Sequence, residues 1–164
     1  MATFNTTNGE GRFMDDNSRE DLIQYILRPD KIKHSYYGGI AVDMQDILGS
    51  MNAVAENFNK NTGVRIRHFI LSFHPYELSD PENAYKIGMQ IIRNIGREYQ
   101  AVFAVHEDRE HLHIHIASNA ISHIDGHRYR GTREEFNVLK SFIAKVLRQY
   151  GISPLIYIPT KKEI

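Results

Sequence analysis

The chain has 164 residues, 41% of them hydrophobic, which suits one core and is short for two. It contains no cysteine, so disulfides and thiolate metal sites are excluded. Its 20 Lys/Arg balance 20 Asp/Glu, a neutrality that counts mildly against nucleic-acid binding, although from Asp125 onward eight basic residues stand against four acidic ones.

Residues 2–6 read as a short strand, followed by a polar, Gly-containing loop to about residue 16. The segment 1–16 is expected to be partly flexible. MATFNTTNGEGRF lacks the basic and apolar regions of a signal peptide, and no apolar run reaches membrane-spanning length. A soluble cytoplasmic protein is therefore expected. Ser18 and Asp21 have the spacing of a capping box, opening a helix that Pro29 stops. Asp43 to about Lys60 reads as a second helix, with Met44, Ile47, Leu48, Met51, Val54, Ala55 and Phe58 at helical spacing. Val64–Phe73 is rich in β-formers and reads as a strand. Ser79-Asp80-Pro81 starts a third helix striped by Ile87, Ile91 and Ile95. QAVFAVH is a strand, EDRE a polar connection, and HLHIHIASN (residues 111–119) a second strand, together an antiparallel hairpin. Gly126 marks a turn. Thr132 and Glu135 cap a last helix that Gly151 ends. This order predicts one α+β domain over 1–164, with helices covering one face of a mainly antiparallel sheet.

The alternation in HLHIHI puts His111, His113 and His115 on one strand face and the aliphatics on the other. Polar faces seldom repeat one rare residue, and histidine is the commonest metal ligand. The hairpin brings His106 beside His113 and His115. Three imidazoles leave positions open for water or substrate, as catalytic metal sites do. Asp108 is placed to fix an imidazole tautomer from behind. The same string also resembles the histidine-triad nucleotide hydrolases, in which an imidazole attacks phosphorus without a metal. A separate nucleophile decides between the two.

There are nine tyrosines. Tyr150 falls in the apolar stripe of the last helix, with Phe136, Leu139, Ile143, Val146 and Leu147, and reads as core. Tyr25 lies roughly 130° from the centre of the stripe formed by Leu22, Ile23, Ile26 and Leu27. It shares that other side with Ser18, Asp21 and Arg28.

With those residues in place, DLIQYILRPDK, then ILSF, then AVHEDREHLHIHIASN resembles the relaxases of plasmid and integrative-element mobilisation, in the MobP branch of the HUH endonucleases. The first motif's tyrosine maps onto Tyr25 and the second motif's serine onto Ser72. The third motif maps onto His106, Asp108, His113, His115 and Asn119. Order and spacing agree over residues 17–151. His111 is additional to the family's pair and reads as a solvated residue. Such enzymes usually continue into further domains, so the chain ending in KKEI reads as the catalytic domain.

The resemblance implies an RRM-like palm fold and nicking of one strand of origin-of-transfer DNA to initiate conjugative mobilisation. Tyr25 is the implied nucleophile, forming a 5′-phosphotyrosyl bond and leaving a free 3′-OH. It also implies a divalent ion, Mg²⁺ or Mn²⁺, on His106, His113 and His115. Three imidazoles by themselves favour softer metals. Asp108 is the implied catalytic carboxylate behind a ligand, or less simply a general base. Ser72 and Asn119 are implied to contact DNA. In the loop RPDKIKHSYYGG, Arg28, Lys31 and Lys33 suit phosphates and Tyr36 and Tyr37 suit base stacking, against an alternative in which the tyrosines pack inward. Arg65, Arg67, Arg128 and Arg130 suit either backbone contacts or ordinary surface charge. Expected partners are single-stranded origin DNA and accessory relaxosome proteins, with the chain itself a monomer. The alternatives left open are the histidine-triad hydrolase and a Rep- or transposase-type nuclease using Tyr150.

Overall fold

The computed structural model describes residues 2–7, 12–153 and 156–157. In chain order they form β1 (Thr3–Thr6), α1 (Ser18–Ile26), β2 (Tyr37–Ile40), α2 (Ile47–Asn57), β3 (Ile66–Ser72), α3 (Pro81–Ile95), β4 (Ala101–His106), β5 (His113–Asn119), α4 (Arg133–Gln149) and β6 (Ile156–Tyr157). The strands make one sheet in the order β2-β4-β5-β3-β1-β6. Every pairing is antiparallel except the short β6 against β1. The expected α+β architecture is therefore present. The expected flexible stretch 1–16 falls partly on residues outside the described ones, as does KKEI, and within it Thr3–Thr6 are strand.

Helices cover both sheet faces, not one. Ile87, Ile91 and Ile95 of α3 and Leu139, Ile143 and Leu147 of α4 bury against Phe69, Leu71, Phe103, Val105, Ile114 and Ile116. On the opposite face, Leu22, Ile23 and Ile26 of α1 and Met51 of α2 bury against Ile66, Val102, Ala104 and Ala117. The strands alternate large residues on the α3/α4 side with smaller ones on the α1/α2 side. That second set is interrupted by histidines, which form a polar platform within it. The small side chains let α1 lie close to the sheet, and its burial covers the platform in part.

Local signals at helix ends fared unevenly. Asp80 caps α3 with Pro81 in its first turn, and Thr132 and Glu135 form the reciprocal capping box of α4. Gly151, at φ +70°, takes the left-handed conformation that ends α4. Ser18 caps nothing: it is the first residue of α1, and its hydroxyl bonds the Asp15 carboxylate. The second helix is shorter than Asp43–Lys60, because Asp46 caps it at Gly49. Strand β2 lay hidden in the loop RPDKIKHSYYGG. Its glycines lower strand propensity but permit the pairing with β4, since a Cβ on Gly38 would come within 2.9 Å of Met89 Sδ and 3.1 Å of the Phe103 ring.

Candidate active site

Register on the α1/α2 side of the sheet gathers the imidazoles. His106 pairs with His113 across β4 and β5, Ala104 with His115, and Ser72 with His113 across β3 and β5. His106, His113 and His115 therefore project from one face, and His68 of β3 joins them. The His106 and His115 rings stack with centroids 4.0 Å apart, His113 and His115 at 6.0 Å, and His68 and His115 at 5.2 Å. His68, His106 and His115 are buried, while His113 is half-buried at the sheet's end.

Helix α1 carries Tyr25 over this cluster. Its ring stands edge-on to His68, His106 and His115, with centroids 6.2, 6.0 and 5.7 Å away. Tyr25 does not point away from the sheet, as its helical angle suggested; it occupies the flank of α1 that overlooks the histidines, 39% exposed. Both ends of α1 are pinned. Near its start, the buried Arg19 guanidinium donates to Asn119 Oδ1 (3.1 Å) and Asn52 Oδ1 (3.3 Å). At its end, the His106 ring donates from Nε2 to the Ile26 carbonyl (2.7 Å).

That last bond leaves Nδ1 as the free lone pair of His106. Burial holds the conjugate acids of all three candidate ligands below the ordinary histidine range, with His115 lowered to about 2. Neutral imidazoles with free lone pairs are the donors a divalent ion needs, so the residues fit one chemically. Among the described residues no group of three donors already converges as a finished ligand set.

Asp108 does not back an imidazole. Its carboxylate pairs with Lys31 Nζ at 2.9 Å, which lowers its pKa, and the same ammonium lies 5.8 Å from the Tyr25 ring centroid. The carbonyl of Ile26 does the orienting expected of Asp108. Around this pair the loop 28–36 is clamped to the end of β4: Glu107 N–H donates to the Lys31 carbonyl (2.8 Å), and His34 bonds the buried Glu107 carboxylate (2.8 Å). Arg28 pairs with Asp30, and Lys33 is exposed. The two tyrosines divide. Tyr36 packs inward against Tyr85, whereas Tyr37 is 45% exposed and pairs in register with Ala104, on the histidine side. Ser72 is half-buried opposite His113 at the open end.

One residue implied to contact DNA turns inward. Asn119 is fully buried: it accepts from Arg19, and its Nδ2 donates to Gln100 Oε1 (2.9 Å) and the Met51 carbonyl (3.2 Å). It is a structural fastener of α1 and α2 to the sheet. Asn119→Ala strands a buried guanidinium and two further partners, so a loss of about 2–4 kcal/mol is expected in urea unfolding. Arg65 and Arg67 are likewise buried, donating to the Met14 and Tyr129 carbonyls (2.8 and 3.0 Å), and Arg128 donates to the Thr62 carbonyl. Of these four, Arg130 is the exposed one. His111 precedes β5 and bonds the Phe73 carbonyl (3.1 Å), so the apparent triad of alternate histidines is broken in three dimensions. Tyr150 packs against the core on the α3/α4 side, across the sheet from the histidines.

His68 was missed. It shares strand parity with Ser72, which was the available signal, but only the pairing of β3 with β5 places it against His115. Its pKa is lowered to about 4 by burial, with Arg12 and His106 adding repulsion. Between pH 6.5 and about 4 the unfolded chain binds a proton that the folded chain excludes. His68's contribution is thus fully retained above about pH 6.5 and declines as pH falls through that window. Urea unfolding of the metal-free protein should show a loss of about 2 kcal/mol from His68 alone between about pH 7.5 and about pH 5.

Comparison with known proteins gives a consistent picture. Residues 25–152 match the MobA/VirD2-like relaxase nuclease domain. The chain is 38% identical over 106 residues to the group II intron-interrupted relaxase LtrB of Lactococcus lactis subsp. cremoris, covering 64% of this chain and 18% of LtrB. It is 28% identical over 96 residues to protein rlx of Staphylococcus aureus, 58% of this chain and 30% of that protein. It is 31% identical over 111 residues to protein TraI of Escherichia coli, 65% of this chain and 14% of TraI. The chain thus spans under a third of the length of these relatives. In fold it is similar to the MobM relaxase domain, solved Mn-bound on plasmid pMV158 oriT DNA, with a TM-score of 0.60 and 10% identity over 93% of this chain and 87% of that one.

Proposed function

The chain belongs to the relaxase family, as a MobA/VirD2-like nuclease domain, and on that premise we propose that it nicks and rejoins one strand of origin-of-transfer DNA through Tyr25. The observation that carries this reading is the position of Tyr25, edge-on to His68, His106 and His115. In the proposed step, Tyr25 Oη gives up its proton and bonds to the scissile phosphorus. The bond from phosphorus to the 3′ oxygen breaks, and that oxygen takes up a proton to become a free 3′-OH. A phosphotyrosyl ester replaces a phosphodiester, so the reverse attack reseals the strand without a nucleotide cofactor.

His106, His113 and His115 would hold a divalent ion, which would supply positive charge to stabilise the phosphoryl transition state. We propose Mg²⁺ or Mn²⁺ in use, with softer metals bound tightly and inhibiting; manganese in the MobM crystal supports a divalent ion of this kind. Lys31 places a cation beside the ring on which phenolate charge develops, and Asp108 holds Lys31 there. Tyr37 offers a stacking surface, with Lys33 and Arg28 for phosphates and Ser72 at the site's open end. Such work is done on DNA in the cytoplasm, alongside accessory relaxosome proteins, with the chain acting as a monomer. Among the described residues no helix is long and apolar enough to cross a membrane.

The test is incubation with single-stranded DNA carrying the element's own origin and Mn²⁺. A protein–DNA adduct that survives denaturation is expected. Cleavage without an adduct would overturn the tyrosine mechanism.

A further inference from the structure

The geometry points to His68 as a positioning residue: in the chain of hydrogen bonds Thr7–His68–His115, His68 supplies the acceptor that lets His115 carry its proton on Nδ1 and so present a free Nε2 lone pair to the ion. This rests on the reading of His115 as a ligand.

His68 Nε2 and His115 Nδ1 are 2.9 Å apart, and His68 Nδ1 is 2.9 Å from Thr7 Oγ1. Each neutral imidazole carries one N–H, so a single proton lies between the two rings. Two arrangements satisfy every bond. In one, the Thr7 hydroxyl donates to His68 Nδ1 and His68 Nε2–H donates to His115 Nδ1. The remaining His115 proton then sits on Nε2, and that nitrogen has no lone pair to offer. In the other, His115 Nδ1–H donates to His68 Nε2, His68 Nδ1–H donates to Thr7 Oγ1, and His115 Nε2 is free. Only the second can ligate through Nε2.

His106 differs from His115 in this respect. Its Nε2 faces the Ile26 carbonyl, which can only accept, so that tautomer is set unconditionally. His115 is backed by a group that both donates and accepts. Its readiness as a ligand is therefore conditional on the polarity of a relay that ends at a hydroxyl, and ion binding selects that polarity. Both rings are buried and stacked, so no bulk water substitutes for His68 as acceptor. A ligating histidine that loses the partner of its other nitrogen typically loses 10–100-fold in metal affinity.

Two variants separate hydrogen bonding from packing. His68→Phe fills the space without an acceptor, and His68→Gln places Oε1 close to the position of Nε2. Calorimetry with Mn²⁺ reads affinity, and nitrogen-15 NMR of the Zn²⁺-loaded protein reads the His115 tautomer. Thermal unfolding verifies that each variant is folded. We expect His68→Phe to bind Mn²⁺ about 10–100-fold more weakly, and His68→Gln to stay within a few-fold of the parent. In the parent, Zn²⁺ should hold the His115 proton on Nδ1. Equal affinity in His68→Phe, or equal losses in both variants, would overturn the inference while leaving the nuclease reading intact. A parent protein that takes up no ion would overturn both.

Discussion

Tyr25→Phe should abolish the covalent protein–DNA adduct, a loss on the order of a thousandfold or more in strand cleavage, with stability and DNA binding nearly unchanged. The substitution removes one oxygen and keeps the ring whose edge faces three histidines. The hydroxyl belongs to a side chain 39% exposed, so its loss leaves no buried cavity. Phenylalanine also keeps the ring beside Lys31. What disappears is the only atom in the proposed mechanism able to carry the phosphoryl bond. Tyr150→Phe is the matched control. Tyr150 packs on the far side of the sheet, and its hydroxyl takes a long 3.4 Å contact from Gln90, so the adduct should persist with at most a modest loss of stability. An adduct that follows Tyr150 and not Tyr25 would mean the Rep- or transposase-type mechanism.

Removal of any one candidate ligand should weaken metal binding and nicking together. His106→Ala, His113→Ala and His115→Ala are each expected to lower Mn²⁺ affinity by about 100-fold or more, since loss of a ligand exceeds the 10–100-fold typical of losing its supporting partner. His113 is the cleanest of the three because it is half-buried; His106 and His115 are core residues whose truncation also costs stability. His111→Ala should be mild, because that ring lies outside β5 against the Phe73 carbonyl. Chelation should silence the parent and Mn²⁺ restore it. A histidine-triad hydrolase would behave in another way, cleaving small nucleotides in chelator with no dependence on Tyr25 or His106. Calorimetric titration of the parent and four variants, beside a chelator-resistant hydrolysis assay, distinguishes the two.

The amino-acid sequence alone determined what depends on neighbours a few residues apart. Strand parity put His113 and His115 on one face, and the short hairpin brought His106 beside them. The Asp80-Pro81 signal placed the start of α3, and one capping box with Gly151 placed both ends of α4, to within a residue or two. Tyr25 could be separated from the apolar stripe of its helix by angle alone, and motif order then singled it out. Tertiary structure decided what depends on residues far apart in the chain. Both sides of the sheet are covered because its strands are apolar on both faces, a pattern that alternation of one face had masked. Asn119 and Arg19, 100 positions apart, meet only when α1 docks, so an asparagine implied to contact DNA becomes part of a buried fastener. Lys31 reached Asp108 before any imidazole did, across 77 positions. His68 joined His115 through a register set between strands 47 residues apart. Parity is a property of one strand and can be read along it; register and docking arise between segments, where the burial of apolar surface chooses which distant polar groups must satisfy one another.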